Sequence, residues 1–148
     1  MSEKARINGI RVIPTEEEEQ TVVFSWAAIQ ESRWPELRLM HHIPNGGKRS
    51  KSEAARFRAA GVKAGVSDIF LPCARCGYHG LYIEMKARDG RVSHDQAEFL
   101  SGVTEQGYLG VVCYGADQAI KVISGYMEGK IAPSPGISGN NAEKGKSG

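Results

Sequence analysis

The sequence has 148 residues, of which 41% are hydrophobic and 24% charged, and its formal net charge at pH 7 is +2. This length predicts one domain, and the composition is ordinary for a globular protein. No run approaches the roughly 18 apolar residues of a membrane span, and the N-terminus has no signal-like segment, so export is not expected. Three cysteines, an odd number, favour a reducing compartment such as the cytoplasm.

A first helix is predicted to begin after Thr15. Thr15 can cap it, Glu18 stands at the capping-box position, and the acidic first turn complements the helix dipole. Glu19 shares a stripe with the apolar residues that follow at helical spacing, namely Val22, Val23 and Trp26. A buried acid needs a partner or a metal, whereas a plain acidic helix start is the alternative. Glu16 lies on the same face.

Pro35 is predicted to end this helix at Trp34, because the residue before a proline resists helical geometry. Residues 36–42 then look like a first strand, which ends with His41 and His42. Either one of these histidines has a role at a functional site, or both are ordinary strand-end residues.

Residues 44–47 (Pro-Asn-Gly-Gly) indicate a turn with two flexible positions. Backbone amides freed by the glycines, together with the cations that follow, could hold a phosphate. The residues concerned are Gly46, Gly47, Lys48, Arg49 and Lys51, and an ordinary loop is the alternative. The wider segment 33–63 holds eight Lys or Arg and two Glu, a charge of +6 that leaves −4 for the rest. This charge fits a phosphate-contacting surface or, equally, a solvated helix face.

A second helix is predicted from Ser52, its possible cap, to Ala60, and Gly61 fits its C-terminal stop. Gly65 lies shortly before Asp68, where a glycine lets the backbone come close to the end of the next strand.

Two short apolar strands follow, joined by a hairpin-type connection; Asp68 opens the first, and Glu84, Met85 and Lys86 close the second. Alternate strand residues share a face, so Glu84 and Lys86 point one way and Met85 the other. If the strands pair antiparallel, Asp68 lies beside Glu84, and clustered carboxylates repel unless a cation sits between them. Oxygen ligands suit Mg²⁺ or Mn²⁺. A surface Glu/Lys pair with an unrelated aspartate is the alternative.

The connection carries Cys73, Cys76 and His79, which is part of a zinc-site pattern. A structural zinc needs four ligands, usually in two spaced pairs. We therefore interpret these residues as a variable hairpin loop.

Ser93 is predicted to cap a third helix, with Gln96 completing a capping box. The apolar run 109–114 is typical of a buried strand, in which Cys113 would be a core residue.

Asp117 can cap a last helix over residues 118–127. Residues 130–148 have almost no apolar content and are predicted to be a disordered tail. The domain is therefore predicted to cover residues 1–129.

Taken together, these features resemble the VRR-NUC (virus-type replication-repair nuclease) domain of the PD-(D/E)xK nuclease superfamily, in its stand-alone phage or bacterial type. The resemblance extends over roughly residues 15–126. It is carried by Glu19, Gln20, residues 42–49, Gly61, Gly65, Asp68, residues 80–86, residues 93–96, Gly107 and Tyr108. One departure is Ser67, where many family members carry proline, a change that concerns the backbone more than the chemistry.

The resemblance implies a restriction-endonuclease-like α/β sandwich, with a mixed central sheet flanked by helices, and a Mg²⁺- or Mn²⁺-dependent DNA endonuclease. The implied metal ligands are Asp68, Glu84, the Met85 carbonyl and Glu19, with Glu16 as second choice to Glu19. Lys86 would position or deprotonate the attacking water. Gln96 would orient water or phosphate, although one glutamine does not obviously serve both the site and the capping box. The implied DNA contacts are His42, Asn45, Gly46, Gly47, Lys48, Arg49, Lys51 and Ser93.

Stand-alone relatives resemble junction-resolving enzymes that act as homodimers. The expected substrate is therefore branched DNA such as a four-way (Holliday) junction, cut by a homodimer in the cytoplasm of a bacterial cell. Two alternatives are a non-catalytic nucleic-acid-binding module and a monomeric flap or nicking nuclease.

Overall fold

A four-stranded sheet with helices on both faces forms the centre of the protein in this computed structural model, which describes residues 6–7, 10–45 and 47–133. The elements are β1 (Arg6–Ile7), β2 (Ile10–Arg11), α1 (Glu16–Gln30), a 3₁₀ helix (Pro35–Leu39), β3 (His41–His42), α2 (Lys51–Ala59), β4 (Ile69–Leu71), β5 (Leu81–Lys86), α3 (His94–Glu105), β6 (Leu109–Tyr114) and α4 (Ala116–Met127). The predicted tail falls, from residue 134 onward, outside the described residues.

The sheet has the strand order β3-β4-β5-β6 and mixes two kinds of pairing. β3, β4 and β5 pair antiparallel, whereas β5 and β6 pair parallel, with α3 in the crossover between them. β1 and β2 form a separate antiparallel pair. This arrangement confirms the predicted α/β class with a mixed central sheet.

Strand alternation gives the sheet two different faces. One face carries the main core, in which side chains of α1 and α4 cover Ile69, Leu71, Leu81, Ile83 and Met85. On the other face Phe70 and Tyr82 are register partners whose rings stack with 4.3 Å between centroids. Phe99 of α3 packs edge-on against Tyr82, with 5.2 Å between centroids. Asp68, Glu84 and Lys86 belong to this second face.

The segment predicted as the first strand, residues 36–42, is mostly a 3₁₀ helix, so that prediction was wrong except for His41–His42. Proline fits the first helical position because its φ is already helical and its missing N–H is not needed there. The 3₁₀ turn also buries Leu37 against the core. The preceding α1 ends at Gln30, four residues before the predicted stop at Trp34.

β6 has the predicted bounds, and Cys113 is buried in the core as expected. The strand as a whole is only half-buried, and Tyr114 is exposed. The reason is its place in the sheet, since β6 is an edge strand with one neighbour. A run of apolar residues indicates a strand but does not distinguish an edge from a centre.

Candidate active site

Asp68 and Glu84 lie side by side at one end of the sheet. Ile69 pairs with Ile83 in the β4–β5 ladder, and continuing that register by one residue sets Asp68 opposite Glu84. The carboxylate of Asp68 also accepts a hydrogen bond from the Met85 N–H, with 2.7 Å between Oδ2 and N. The predicted convergence of the two acids therefore follows from the pairing of their strands.

Glu84 is a buried carboxylate, with only 2% of the residue exposed. Its Oε1 lies 2.8 Å from Gln96 Nε2 and 3.6 Å from Lys86 Nζ, whereas its Oε2 is buried without a hydrogen-bond partner among the described residues. Burial, followed by the negative charge of Asp68, raises the pKa of Glu84 to about 8, and the Lys86 ammonium only partly offsets this shift. A proton or a cation is therefore needed to stabilise this pair of acids.

Gln96 serves the capping box and the site at once, which the sequence did not resolve. Its side-chain Oε1 accepts from the Ser93 backbone N–H at 2.9 Å, and its backbone N–H donates to the Ser93 hydroxyl at 3.2 Å. This leaves the amide NH₂ free to donate to Glu84. A side-chain amide has separate donor and acceptor ends, so the two roles do not compete. Ser93 is the α3 cap, as predicted.

Lys86 is almost fully buried beside Glu84 and also faces α1. Its Nζ lies 3.9 Å from Glu16 Oε1, which places the first turn of α1 at the site. Thr15 and Glu18 form the predicted capping box that fixes this turn. Glu16 is therefore the first-helix acid that contacts Lys86.

Glu19 lies at the start of α4 in this structure. Its Oε2 accepts from the Ala116 N–H at 2.6 Å, so it satisfies one of the free N–H groups at that helix end. Asp117, which was predicted to cap this helix, does not do so, because the cap position is Gly115 and has no side chain to bond. Glu19 therefore has a hydrogen-bond partner in the backbone of another helix.

His42 is attached to the backbone of Asp68. Its Nδ1 lies 2.7 Å from the Asp68 carbonyl oxygen, which can only accept, so Nδ1 carries the proton. The Ile43 N–H donates to the same oxygen at 2.8 Å. These bonds hold the residue that precedes β4 against the end of β3. His41 instead packs edge-on against Phe70, with 5.7 Å between centroids.

The predicted phosphate loop lies on the surface. Lys48, Arg49 and Lys51 are exposed, and Gly47 has a φ of +117° in the left-handed region that favours glycine. Gly46 lies outside the described residues. Asn45 is turned toward the protein and donates to the Lys63 carbonyl at 2.7 Å, a contact that closes the base of this segment.

Gly65, which was expected to approach the end of β4, instead approaches α3. It has a φ of +84°, and a Cβ there would collide with the backbone of Asp95. A glycine at this position lets the segment before Asp68 pass close to the first turn of α3.

The cysteine hairpin lies against α4, away from Asp68 and Glu84 along the strands. Cys76 and Gly77 both have positive φ, as in the tightest hairpin turns. The Cys76 thiol donates to the Tyr126 carbonyl at 3.7 Å, and Cys73 is buried and accepts from Arg75 at 3.2 Å. His79 packs against Tyr108, with 5.6 Å between ring centroids.

One cluster of side chains that could bind a metal was not singled out from the sequence. His94, Asp95 and Glu98 are exposed on the first turns of α3, with ligand atoms within 4.8 Å of one another. Their spacing on one helix face could have indicated it. Glu98 also lies 3.7 Å from His94, so an exposed helical pair accounts for two of the three side chains.

The donor set around Asp68 and Glu84 fits a hard divalent cation. Two carboxylates are adjacent, one Glu84 oxygen is buried without a partner among the described residues, and burial followed by the charge of Asp68 raises the pKa of Glu84. A cation between them would remove this repulsion. Lys86 and Gln96 supply N–H donors at the same place.

The comparisons with known proteins point to one family. The family model of the VRR-NUC domain matches residues 15–117. Among solved structures, a VRR_NUC domain protein is 36% identical, with a TM-score of 0.70 over 82% of this chain and 94% of that one. None of the curated proteins compared with the chain matches it. No helix of the described residues is long and apolar enough to cross a membrane.

Proposed function

The chain belongs to the VRR-NUC domain family, a family of nucleases, and we propose that it is a Mg²⁺- or Mn²⁺-dependent endonuclease that hydrolyses DNA phosphodiester bonds at branched sites. The observation that carries this proposal is the pairing of Asp68 with the buried Glu84, beside Lys86 and Gln96.

Asp68 and Glu84 would hold the cation, together with the Met85 carbonyl. The N–H and C=O of a strand residue point to the same side, and the Met85 N–H bonds to Asp68, which supports a carbonyl on the same side. When bound, the cation supplies charge stabilisation at the attacked phosphate and lowers the pKa of water. Glu19 is proposed as a further ligand through its second carboxylate oxygen.

Lys86 and Gln96 would set the geometry around the attacked phosphorus. The Lys86 ammonium can donate to the attacking water or to a phosphate oxygen, and it must first lose a proton to act as a base. Gln96 fixes the Glu84 carboxylate, because its own amide is held by the Ser93 backbone. We propose that Ser93 and His42 border the DNA strand on either side.

The substrate is proposed to be a four-way junction cut by a homodimer. Each copy would contribute the Asp68–Glu84 pair, and a two-fold dimer presents two active sites to the two strands of a two-fold branched substrate. The loop with the exposed residues Gly47, Lys48, Arg49 and Lys51 would hold phosphates, and Asn45 would hold the base of this loop in place. Gly46 is proposed from the sequence as a further backbone contact. No base-reading motif is evident from the sequence, so recognition of branch shape is favoured over base reading.

Cleavage of labelled four-way junction, duplex and single-stranded DNA, with and without Mn²⁺, tests the proposal. Asp68→Asn, Glu84→Gln and Lys86→Ala should each abolish cleavage while retaining the fold and DNA binding. Asp89→Asn, at an exposed turn residue after β5, is the control that should cleave normally. Near wild-type cleavage by the three site variants, or cleavage without a divalent cation, would contradict the assignment. Metal-independent binding without cleavage would favour a binding module.

A further inference from the structure

Helix α2 is inserted between β3 and β4 and takes almost no part in the core. None of its residues, all of which are described, is buried, and only Ala54 and Phe57 are half-buried. A helix of nine residues is marginal without packing. Instead both ends are capped: Ser50 accepts from the Glu53 N–H, and Gly61 has a φ of +104° after the last turn.

The insertion begins and ends at the candidate active site. Ile43, where the chain leaves β3, bonds to the Asp68 carbonyl, and Asn45 closes the base by donating to Lys63. The chain then re-enters the sheet through Asp68 itself. Whatever the insertion binds is therefore held at the same end of the sheet as Asp68 and Glu84.

Two arginines of the insertion lie against one aromatic ring. The guanidinium carbon of Arg49 lies 4.2 Å from the centroid of the Phe57 ring, and that of Arg56 lies 5.5 Å from it. A guanidinium held at a ring face keeps its N–H groups free in its own plane, where they can form paired hydrogen bonds with phosphate oxygens. The ring thus orders both side chains before any ligand arrives.

The described residues of the protein do not neutralise the charge of the insertion. Residues 48–63 hold six Lys or Arg and one Glu. Among the described residues, the salt bridges of the protein involve none of these six cations. An ordered and unpaired cationic cluster on a helix without core contacts fits an anionic polymer as its partner.

We propose that Arg49 and Arg56, ordered by Phe57, extend the phosphate-holding loop onto α2 and grip the sugar-phosphate backbone flanking the cut, outside the metal site. This inference rests on the proposed nuclease function and names the residues that hold the substrate beside it. The planar guanidinium groups matter here, because charge alone would be met equally well by lysine.

Charge-preserving variants test this distinction. Fluorescence anisotropy with a labelled four-way junction, in Ca²⁺ and without catalytic metal, would compare the double variant R49K/R56K with R88K/R91K. The second pair changes two exposed arginines that lie over no described aromatic ring. R49K/R56K should bind about tenfold more weakly, because a lysine ammonium cannot pair two N–H groups with a phosphate as the planar guanidinium does. Its salt dependence should stay unchanged because the charge is the same.

Phe57→Leu removes the ring and keeps both arginines, so it should lose affinity in the same direction. Circular dichroism checks that α2 remains helical in this variant. Equal affinity of R49K/R56K and R88K/R91K, or wild-type affinity of Phe57→Leu, would overturn the inference even if the wild type cleaves DNA. Conversely, a selective loss of binding in a protein that never cleaves would refute the proposed function and leave this site standing.

Discussion

Glu84 is a buried carboxyl group whose charged form is disfavoured both by burial and by a neighbouring acid. Its pKa is raised from an ordinary 4.5 to about 8, first by burial and then by Asp68. A folded-state pKa above the unfolded value means that the folded protein binds the proton more tightly. The stability that this proton contributes is complete below about pH 4.5 and is lost as the pH rises through 8.

The metal-free protein should therefore become less stable as the pH rises from 5 to 8.5. In EDTA, the melting temperature should fall by at least about 4 °C over this range relative to Glu84→Gln, since ~1 kcal/mol shifts a domain of this size by roughly that amount. The glutamine variant keeps an acceptor for Gln96 and has no proton to lose. Parallel melting curves of the two proteins against pH would show that Glu84 is not the titrating group.

Glu19 and Glu16 were the two candidates for the metal-binding acid of the first helix, and the structure gives them different contacts. Glu19 bonds to the start of α4, whereas Glu16 lies near Lys86. Glu19→Ala should lower the free energy of unfolding by about 1 kcal/mol, as loss of a helix cap does. Glu17→Ala, on the exposed side of the same turn, is the control, and urea unfolding measures both.

Calorimetric titration with Mn²⁺ then decides whether Glu19 is also a ligand. We expect weaker binding by Glu19→Gln than by Glu16→Gln. The reverse order would assign the ligand role to Glu16.

At the scale of elements, the sequence predicted what local chemistry determines. The capping boxes at Thr15 and Ser93 and the end of α2 at Gly61 depend on residues a few positions apart, and all three formed as expected. The cap of α2 is Ser50 and not Ser52, because Ser50 reaches the Glu53 N–H. Two serines that are two positions apart offer the same chemistry, so the sequence pattern alone did not choose between them.

The first-strand prediction and the cap predicted for α4 were wrong, because both depend on contacts between distant residues. The 3₁₀ helix is stabilised by burial of Leu37, and α4 is capped by Glu19, which is 97 residues away. The pairing of Asp68 with Glu84 was predictable because alternation and a hairpin suffice for it. The contacts of Glu16 with Lys86 and of Gln96 with Glu84 require the packing of helices on the sheet, which no local pattern encodes.

The loop before α2 gives a prediction at this scale. Replacing Lys48, Arg49 and Lys51 with alanine should weaken binding similarly for all DNA sequences. It should also flatten the salt dependence of binding, because a protein with fewer phosphate contacts releases fewer counterions when it binds. Binding measured from low to moderate salt gives the slope. An unchanged slope would mean that these exposed side chains face away from DNA, and it would be distinguished from misfolding by an unchanged circular dichroism spectrum.

At the scale of the whole molecule, the proposed paired cuts depend on how many copies of the domain act together. The chain carries one Asp68–Glu84 pair, so paired cuts in a four-way junction need two copies. A symmetric dimer should bury a self-complementary surface of at least about 1,000 Å² in total. Val22 and Ile29 on α1 and Leu39 after it are exposed apolar side chains available for such a contact.

We expect sedimentation at micromolar concentration to give two protein copies per particle, both for the free protein and for its complex with junction DNA. Val22→Lys with Ile29→Lys should dissociate a dimer formed through α1 and leave the core intact, since both side chains point to solvent. The dissociated protein should then nick one strand of a junction instead of making paired cuts. A wild-type protein that stays monomeric on junction DNA would exclude paired cutting and would make a nicking or flap-cutting enzyme the better interpretation of the same active site.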